Sequence, residues 1–291
     1  MAVSNGWGQG AVNNTIDWGK GKTTATNDWG KIYDSSASGD TNITGSGGAV
    51  PFTNTHSILF DGVDQSITMG DVLNMANDGT DAFTYSLWYK TTDTGSFQMF
   101  IGKQRAAVWF NGVTFSMRGN LKSFNVFLGT GQSNQRIKGK TGTISTINDG
   151  NWHHVCLTYD GSQVLGGMTL YYDNTPQTLS VDGTQGTPTD VSTAGQADFM
   201  IGDRGTASSP SLPFNGSLDE VAYFTSELSA SDVNAIYGTG VPNDISSLNP
   251  VGWWRMGDND GGTGTTVTDQ GSGSNNGTLI NSPTFETNVP T

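Results

Sequence analysis

Residues 151–174 read NWHHVCLTYDGSQVLGGMTLYYDN, and this stretch predicts the fold of the chain. Over Trp152–Tyr159 the side chains alternate with the two-residue period of a strand that packs on at least one face. Met168–Tyr172 predicts a second strand, and Asp173-Asn174 supplies the left-handed positions that a tight hairpin turn requires. The stretch therefore predicts an antiparallel β-hairpin.

The composition extends this prediction to the rest of the chain. The 291 residues include 41 Gly, with many Ser, Thr and Asn and few long apolar runs, which is typical of short strands joined by many turns. One short helix is predicted at residues 230–237, where Ser229 caps the N-terminus, Asp232 follows three residues later and Gly238 ends the run. A chain of this length accommodates one large β-sandwich with appendages.

Several motifs resemble one known family. The hairpin pattern W-H-H-V-x-L-T-Y-D-G followed by L-Y-Y-D resembles the central hairpin of the laminin-G-like, concanavalin A-like jelly-roll lectin family. The F-D-G at 60–62, the F-T-x-S-x-W at 83–88 and the N-G-x-L-D-E-V at 215–221 match further strands of that family. The resemblance implies an all-β fold, a two-sheet antiparallel jelly-roll sandwich over residues 55–291 with one short helix.

The last part of the chain departs from the family's usual order. VGWWRM at 251–256, Asp269 and NNGTL at 275–279 resemble an opening segment that many family members carry before the F-D-G strand. Here this segment comes last. Because domain termini usually lie close together, we expect residues of about 250–285 to close the sandwich from the other end of the chain.

Residues 1–45 predict an extended N-terminal arm, which a linker at 46–54 joins to the sandwich. Trp7, Trp18 and Trp29 recur every 11 residues, each followed by Gly. A unit this small cannot bury its own indole, so the rings either fold back on the sandwich or anchor the chain to a partner. The Trp-Gly repeats resemble the N-terminal arms of structural proteins in tailed bacteriophages, especially phages of marine bacteria, which implies anchoring to other virion proteins.

The charge distribution excludes some classes of partner. A net charge of −13 disfavours nucleic acid and anionic membranes. Seven of the 13 basic residues nevertheless lie between 103 and 140, either as solvated strand faces or as a patch that docks an acidic partner. Cys156 is the single cysteine and is expected in the core. The start of the chain shows no signal peptide, so we expect synthesis in a host cytoplasm and a location in the virion.

The acidic residues predict no enzyme. Glucanases of this fold carry E-x-D-x-x-E on a strand, but the sequence has Glu only at 220, 227 and 286. Asp219 and Glu220 are adjacent, and neighbours on a regular strand point to opposite faces. His56, His153 and His154 are not accompanied by a G-x-S-x-G nucleophile motif.

Two further sites are predicted. The resemblance implies a structural Ca²⁺ between the F-D-G turn and the D-E-V strand, with Asp61 and Asp219 as the candidate ligands; the alternative is an Asx-turn and a strand-end hydrogen bond. Trp109 and Phe110, beside Asn111-Gly112, are candidate glycan contacts at a hairpin tip, or else they pack across strands.

Together these observations favour a surface protein of a tailed-bacteriophage virion, of the capsid-decoration or fibre type. The arm would anchor it, and the jelly roll would display a surface that binds host or environmental glycans. Its partners would be other virion proteins and further copies of itself, without nucleic acid or membrane insertion. The alternatives are a free bacterial lectin or adhesin and a carbohydrate-active enzyme.

Overall fold

The computed structural model describes residues 52–105, 111–130, 132, 134–204 and 212–291, together with the backbone of two short strands nearer the N-terminus. The chain divides into two units, Met1–Phe52 and Thr53–Thr291, and the division falls inside the predicted linker. In the first unit β1 (Ile32–Tyr33) pairs antiparallel with β2 (Asn42–Ile43). Trp7, Trp18 and Trp29 lie outside the described residues.

The described residues of the second unit form two antiparallel sheets. The eight-stranded sheet has the order β12-β11-β10-β5-β15-β3-β19, with β16 also paired to β15. Its strands are β3 (Ser57–Asp61), β5 (Phe83–Lys90), β10 (Trp152–Tyr159), β11 (Met168–Tyr172), β12 (Thr175–Gln177), β15 (Asn215–Phe224), β16 (Gly252–Trp254) and β19 (Thr284–Glu286).

The nine-stranded sheet has the order β13-β9-β8-β7-β6-β14-β4-β18-β17. Its strands are β4 (Ser66–Thr68), β6 (Phe97–Gln104), β7 (Gly112–Arg118), β8 (Ser123–Gly129), β9 (Arg136–Thr141), β13 (Leu179–Val181), β14 (Met200–Ile201), β17 (Thr266–Val267) and β18 (Gly277–Ile280). Within the described residues there is one α-helix, α1 (Ala230–Tyr237), and two short 3₁₀ turns, Leu165–Gly167 and Ser246–Leu248. None of the helices in this part of the chain has the length and apolar character needed to cross a membrane. The predicted all-β, two-sheet antiparallel sandwich with one short helix is confirmed.

The core lies between the inner faces of the two sheets. The side of β5 that carries Phe83, Tyr85, Leu87 and Tyr89 faces this core, as the alternation predicts. From the opposite sheet, the inward residues of β7 and β8 meet them; these are Val113, Phe115, Met117, Phe124, Val126 and Leu128. The two-residue period of each strand thus places one complete set of apolar side chains in the interior.

The local signals at the hairpin and the helix are also confirmed. Asp173 and Asn174 have φ values of 45° and 61° and join β11 to β12. Ser229 caps α1 in a capping box with Asp232, and Gly238 ends the helix with a φ of 60°.

The last 40 residues take part in both sheets. β16 pairs with β15 and β19 with β3, while β18 pairs with β4. Trp254 is fully buried, and its ring centroid lies 5.6 Å from that of Phe199. The C-terminal segment therefore contributes strands and core contacts to the sandwich.

Two adjacent histidines on β10 have pKa values that are shifted in opposite directions. Each ring nitrogen of His153 faces a carboxylate, with Nδ1 2.7 Å from Asp173 Oδ2 and Nε2 3.1 Å from Asp149 Oδ1. Only the imidazolium donates both hydrogen bonds. Burial lowers the pKa of His153, but the hydrogen bonds to Asp173 and Asp149 outweigh it, so the pKa is raised.

His154 points to the other face, where Nε2 lies 2.8 Å from Ser86 Oγ, and burial lowers its pKa to about 4. It is therefore neutral near pH 7. In its protonated form His153 ties the loop that carries Asp149 to the turn at Asp173, whereas His154 belongs to the packing beneath α1.

The two hydrogen bonds from the His153 ring to Asp149 and Asp173 predict that the stability of the fold depends on pH. Because the pKa is raised on folding, the stabilisation is complete below the unfolded pKa of about 6.5 and is lost as pH rises through the higher folded pKa. We expect His153→Gln to lower the free energy of unfolding by about 1–2 kcal/mol near pH 6 and by less near pH 9. Thermal unfolding of both proteins across this range measures the difference, and a variant that keeps the wild-type pH slope would contradict the assignment.

Candidate functional site

A polar cavity of about 360 Å³ opens on the outer face of the eight-stranded sheet. It lies where β5 ends and β15 begins, beside β3 and β19. Its volume falls in the range of small-molecule sites, roughly 300–1,000 Å³. Leu59, Lys90–Asp93, Gly150, Asn215–Ser217, Glu286 and Asn288 line it.

Asp93 and Asn215 form one wall. Asn215 Nδ2 donates to Asp93 Oδ2 at 2.7 Å, and Thr91 Oγ1 donates to the Asn215 carbonyl at 2.6 Å. Asp93 Oδ1 accepts from Gln98 Nε2 at 3.0 Å and from the Gly95 amide. The amide of Asn215 is exposed to solvent and yet held in place by its neighbours, which is the arrangement of a preorganised binding group.

The end of β19 and the segment after it form a second wall. Asn288 Oδ1 accepts from Lys90 Nζ at 3.0 Å and from Trp152 Nε1 at 2.9 Å, and its carbonyl accepts from Ser57 Oγ at 2.7 Å. Glu286 Oε1 accepts from Ser217 Oγ at 3.2 Å. The cavity thus presents amide, hydroxyl, carboxylate and ammonium groups around one apolar side chain, Leu59. Such a set exchanges hydrogen bonds with a ligand that carries several hydroxyl groups.

A second group of acidic residues is enclosed. Asp219 is fully buried and Glu220 is 6% exposed. A β-bulge between Asp219 and Ala222, with Glu220 at a φ of 46°, breaks the alternation that places neighbouring side chains on opposite faces. Burial, and then the charge of Glu220, raises the pKa of Asp219 well above its usual range, and burial raises that of Glu220 although Arg255 opposes it. The expectation that these two carboxylates are separated by the sheet is therefore wrong.

Hydrogen bonds hold this acidic pair within the fold. Glu220 accepts from Arg255 Nε at 2.9 Å and from Trp253 Nε1 at 2.6 Å. Asp219 accepts from Asn54 Nδ2 and from the Glu220 amide, both at 2.8 Å. The pair thus ties the entry of the chain into the sandwich, at Asn54, to the C-terminal segment, and neither carboxylate lines the cavity.

The two residues predicted to bind Ca²⁺ do not come together. Asp61 pairs with Asn215 across β3 and β15, and Asp219 lies four residues further along β15, roughly 13 Å away by the rise of a strand. Asp61 Oδ1 accepts from the Val63 amide at 2.9 Å, as in an Asx-turn. One ion between these two side chains is therefore incompatible with the register.

The surroundings of Asp219 suit a hard cation in part. Among the described residues, Asn54 Oδ1 is buried without a hydrogen-bond partner, so an amide oxygen lies in the same group as the Asp219 carboxylate. Carboxylate and amide oxygens are ligands that Ca²⁺ prefers. No group of three His, Cys, Asp or Glu side chains with a metal-binding arrangement occurs in the described part of the chain.

The remaining sequence candidates have separate outcomes. Trp109 and Phe110 lie outside the described residues. Cys156 is fully buried, and burial raises the pKa of its thiol, as expected for a core residue. The cavity residues Lys90, Asp93 and Glu286 were not predicted, because five distant segments of the chain form the cavity. Asn215 is the first residue of the N-G-x-L-D-E-V motif, so among these cavity residues it is the one that a sequence motif had already marked.

Comparison with solved structures finds similar folds. A Bacteroides ovatus ATCC 8483 protein assigned to carbohydrate binding is 18% identical with a TM-score of 0.55, and the match covers 82% of this chain and 62% of that one. The Ruminococcus gnavus IT-sialidase CBM40 is 15% identical with a TM-score of 0.42, over 62% of this chain and 98% of that one. The NanB sialidase of Streptococcus pneumoniae is 14% identical with a TM-score of 0.47, over 63% of this chain and 28% of that one.

Because these sequence identities are low, the similarity to the solved structures shows a shared fold only. The chain spans about three fifths of the Bacteroides protein. No curated protein sequence matches it. The sequence profile of a family described as Laminin_G_3, concanavalin A-like lectin/glucanases superfamily, matches residues 61–234, which is more than half of the chain. On this match and the two-sheet sandwich, the chain belongs to the concanavalin A-like lectin/glucanases superfamily.

Proposed function

We propose that this protein binds carbohydrate without transforming it, and that the polar cavity holds the sugar. The observation that carries the proposal is the set of polar side chains that line one cavity, among them Asn215, Lys90, Glu286 and Asn288. The superfamily contains lectins, and the protein of Bacteroides ovatus supports the same class of ligand.

The chemistry of the cavity suits a sugar ring. Each sugar hydroxyl both donates and accepts a hydrogen bond, and the cavity offers acceptors at Glu286 and donors at Lys90 and Asn215. The indole of Trp152 is fixed at the rim through Asn288. A few hydrogen bonds to a small ligand give modest affinity, which is the usual regime for a site that gains strength by multiple copies.

Hydrolysis is the second candidate, because Asp93 and Glu286 both line the cavity. A glycosidase needs one carboxyl group free to give a proton and another free to attack or to activate water. Both oxygens of Asp93 already accept internal hydrogen bonds, which favours a structural role for that side chain. Release of reducing sugar from an oligosaccharide, lost in Glu286→Gln, would establish the enzyme instead.

The cavity predicts which variants lose binding. We expect saturation-transfer NMR with glucose, galactose, mannose and N-acetylglucosamine to detect binding of at least one sugar. Asn215→Ala and Lys90→Gln each remove a wall group, and we expect about 5- to 30-fold weaker binding, the effect of losing about 1–2 kcal/mol. Asn234→Ala, on the exposed side of α1, is the matched control and should bind as wild type. If both cavity variants bind normally, the sugar lies elsewhere on the protein.

The place of action that we propose is the surface of a tailed-phage virion, as a capsid-decoration or fibre-type protein assembled in several copies. The Trp-Gly repeats of residues 1–45 support it, because three similar apolar anchors suit a partner made of repeated subunits. A free bacterial lectin or adhesin remains the alternative, in which the chain is absent from purified particles.

Deletion of residues 1–45 tests the arm. We expect the truncated protein to keep its melting temperature within a few degrees and to disappear from particles, as measured by mass spectrometry. Trp18→Ala should reduce incorporation, and Asn27→Ala is the matched control in the same repeat. A truncated protein that melts many degrees lower would assign the indoles to the stability of the sandwich, and normal incorporation would place the attachment surface outside the arm.

A structural Ca²⁺ at Asp219 and Asn54, without Asp61, is the form of the metal hypothesis that the register allows. A ligand that binds only the folded state raises the melting temperature. We therefore expect Ca²⁺ to raise it for the wild type and for Asp61→Asn, and chelation to reverse the gain. Asp219→Asn should show no such gain. Equal gains in Asp219→Asn and in the wild type would exclude Asp219 as a ligand.

A further inference from the structure

The outer face of the nine-stranded sheet carries polar and basic side chains on three adjacent strands. The register pairs Arg118 with Ser123, Ser116 with Asn125, and Asn125 with Lys140. These residues alternate with core residues such as Phe115, Phe124 and Ile137, so they share the face that points away from the core. We call this surface the β7–β9 patch; its members are Ser116, Arg118, Ser123, Asn125, Lys138 and Lys140.

The floor of the patch contains polar atoms that the fold leaves unsatisfied. Within the described residues, neither Nδ2 nor Oδ1 of Asn125 has a hydrogen-bond partner, and the same holds for Ser123 Oγ and Arg118 Nε. Asn125 is 3% exposed and Ser123 is 4% exposed. Enclosed polar groups without partners destabilise a folded protein, so several on one patch require an explanation. A bound ligand that supplies the missing hydrogen bonds would explain why these atoms are left without partners in the free protein.

The rim of the patch is cationic. Lys138 Nζ and Lys140 Nζ lie 3.0 and 3.1 Å from the two oxygens of Asp182, and these lysine side chains are 32% and 37% exposed. Arg118 lies over the ring of Phe97 at 4.5 Å. The patch therefore carries three cations, of which two share the carboxylate of Asp182, on a chain whose net charge is −13. A basic surface on an acidic protein attracts an anionic ligand.

The two observations together specify the chemistry of the ligand. The amide of Asn125 offers a donor and an acceptor, so the group that satisfies both must also donate and accept, as a hydroxyl does. A carboxylate or sulfate only accepts and suits the lysines. We propose that the β7–β9 patch binds an anionic polysaccharide, whose hydroxyls bond to Asn125 and Ser123 and whose acid groups pair with Lys138 and Lys140. Lys140 lies directly across from Asn125 in the register, so a polymer that pairs with Lys140 passes beside Asn125.

This site is distinct from the polar cavity, which lies on the outer face of the other sheet. An acidic protein partner would also meet the lysines, but its carboxylates donate no hydrogen bond to the Asn125 oxygen. The patch therefore favours a polymer that carries hydroxyls beside its charges. The shared chemistry covers carboxylated and sulfated sugars, which the experiment separates.

Asn125→Val gives the sharpest test. An apolar β-branched residue suits a strand and removes both unpaired atoms, so we expect the free variant to melt at the same or a higher temperature than wild type. We also expect it to bind polygalacturonate or dextran sulfate about tenfold more weakly in biolayer interferometry. Preference for one polymer identifies carboxylate or sulfate as the anion. Neutral dextran should not bind, and Thr278→Val, on the outer face of the same sheet, is the matched control.

The charge requirement is tested with Lys138→Gln/Lys140→Gln. We expect this variant to lose most of the binding and most of its dependence on salt between about 50 and about 200 mM. The proposal is overturned if neither polymer binds, if Asn125→Val melts lower and binds normally, or if poly-glutamate binds as well as the polysaccharides. Sugar binding in the cavity is measured separately, so either site can fail alone.

Discussion

The burial of β5 on both of its faces is the constraint on which the rest of the structure depends. Its inner residues Phe83, Tyr85, Leu87 and Tyr89 are at most 1% exposed, and its outer residues Thr84, Ser86 and Trp88 are at most 3% exposed. Burial of a large apolar side chain contributes roughly 1.5–3 kcal/mol. A strand with this composition is stable only when the opposite sheet packs against its inner face and another segment of the chain packs against its outer face.

The C-terminal half of the chain provides that outer cover. Tyr237 of α1 stacks on Trp88 with ring centroids 5.7 Å apart. Thr84 Oγ1 donates to the Ser226 carbonyl at 2.8 Å and accepts from the Leu228 amide at 3.0 Å. The segment between β15 and α1 is therefore fixed to the start of β5. Because this cover ends before Lys90, the outer face of the sheet is left open there, and the polar cavity occupies that opening.

The proposed sugar site and the β7–β9 patch lie on opposite outer faces of the sandwich. Each lies where side chains point away from the core and are free to be polar, and neither disturbs the inner packing. Two weak sites on one module engage a polymer with a combined strength that exceeds either alone, provided that the geometry permits both contacts. Repetition of the module on a larger assembly would multiply the effect.

Much of the fold was predictable because its signals are local. The alternation in Trp152–Tyr159 specified a strand, Asp173-Asn174 supplied a turn with positive φ, and Ser229 with Asp232 capped α1. Each of these depends on residues within a few positions of one another, so the sequence alone contains the whole interaction. The resemblance to the jelly-roll family then supplied the arrangement of the strands.

Only the tertiary structure decided which side chains meet. Asp61 and Asp219 belong to neighbouring strands, but the register places Asp61 opposite Asn215 instead. The bulge at Glu220 likewise depends on how β15 pairs with both β5 and β16, and it brings together two carboxylates that a regular strand would separate. Lys90 and Asn288 are 198 residues apart and share a hydrogen bond in the cavity. By itself the sequence determined the strands, the turn and the helix, whereas register, bulges and the meeting of distant segments determined the site, because they follow from packing the whole chain.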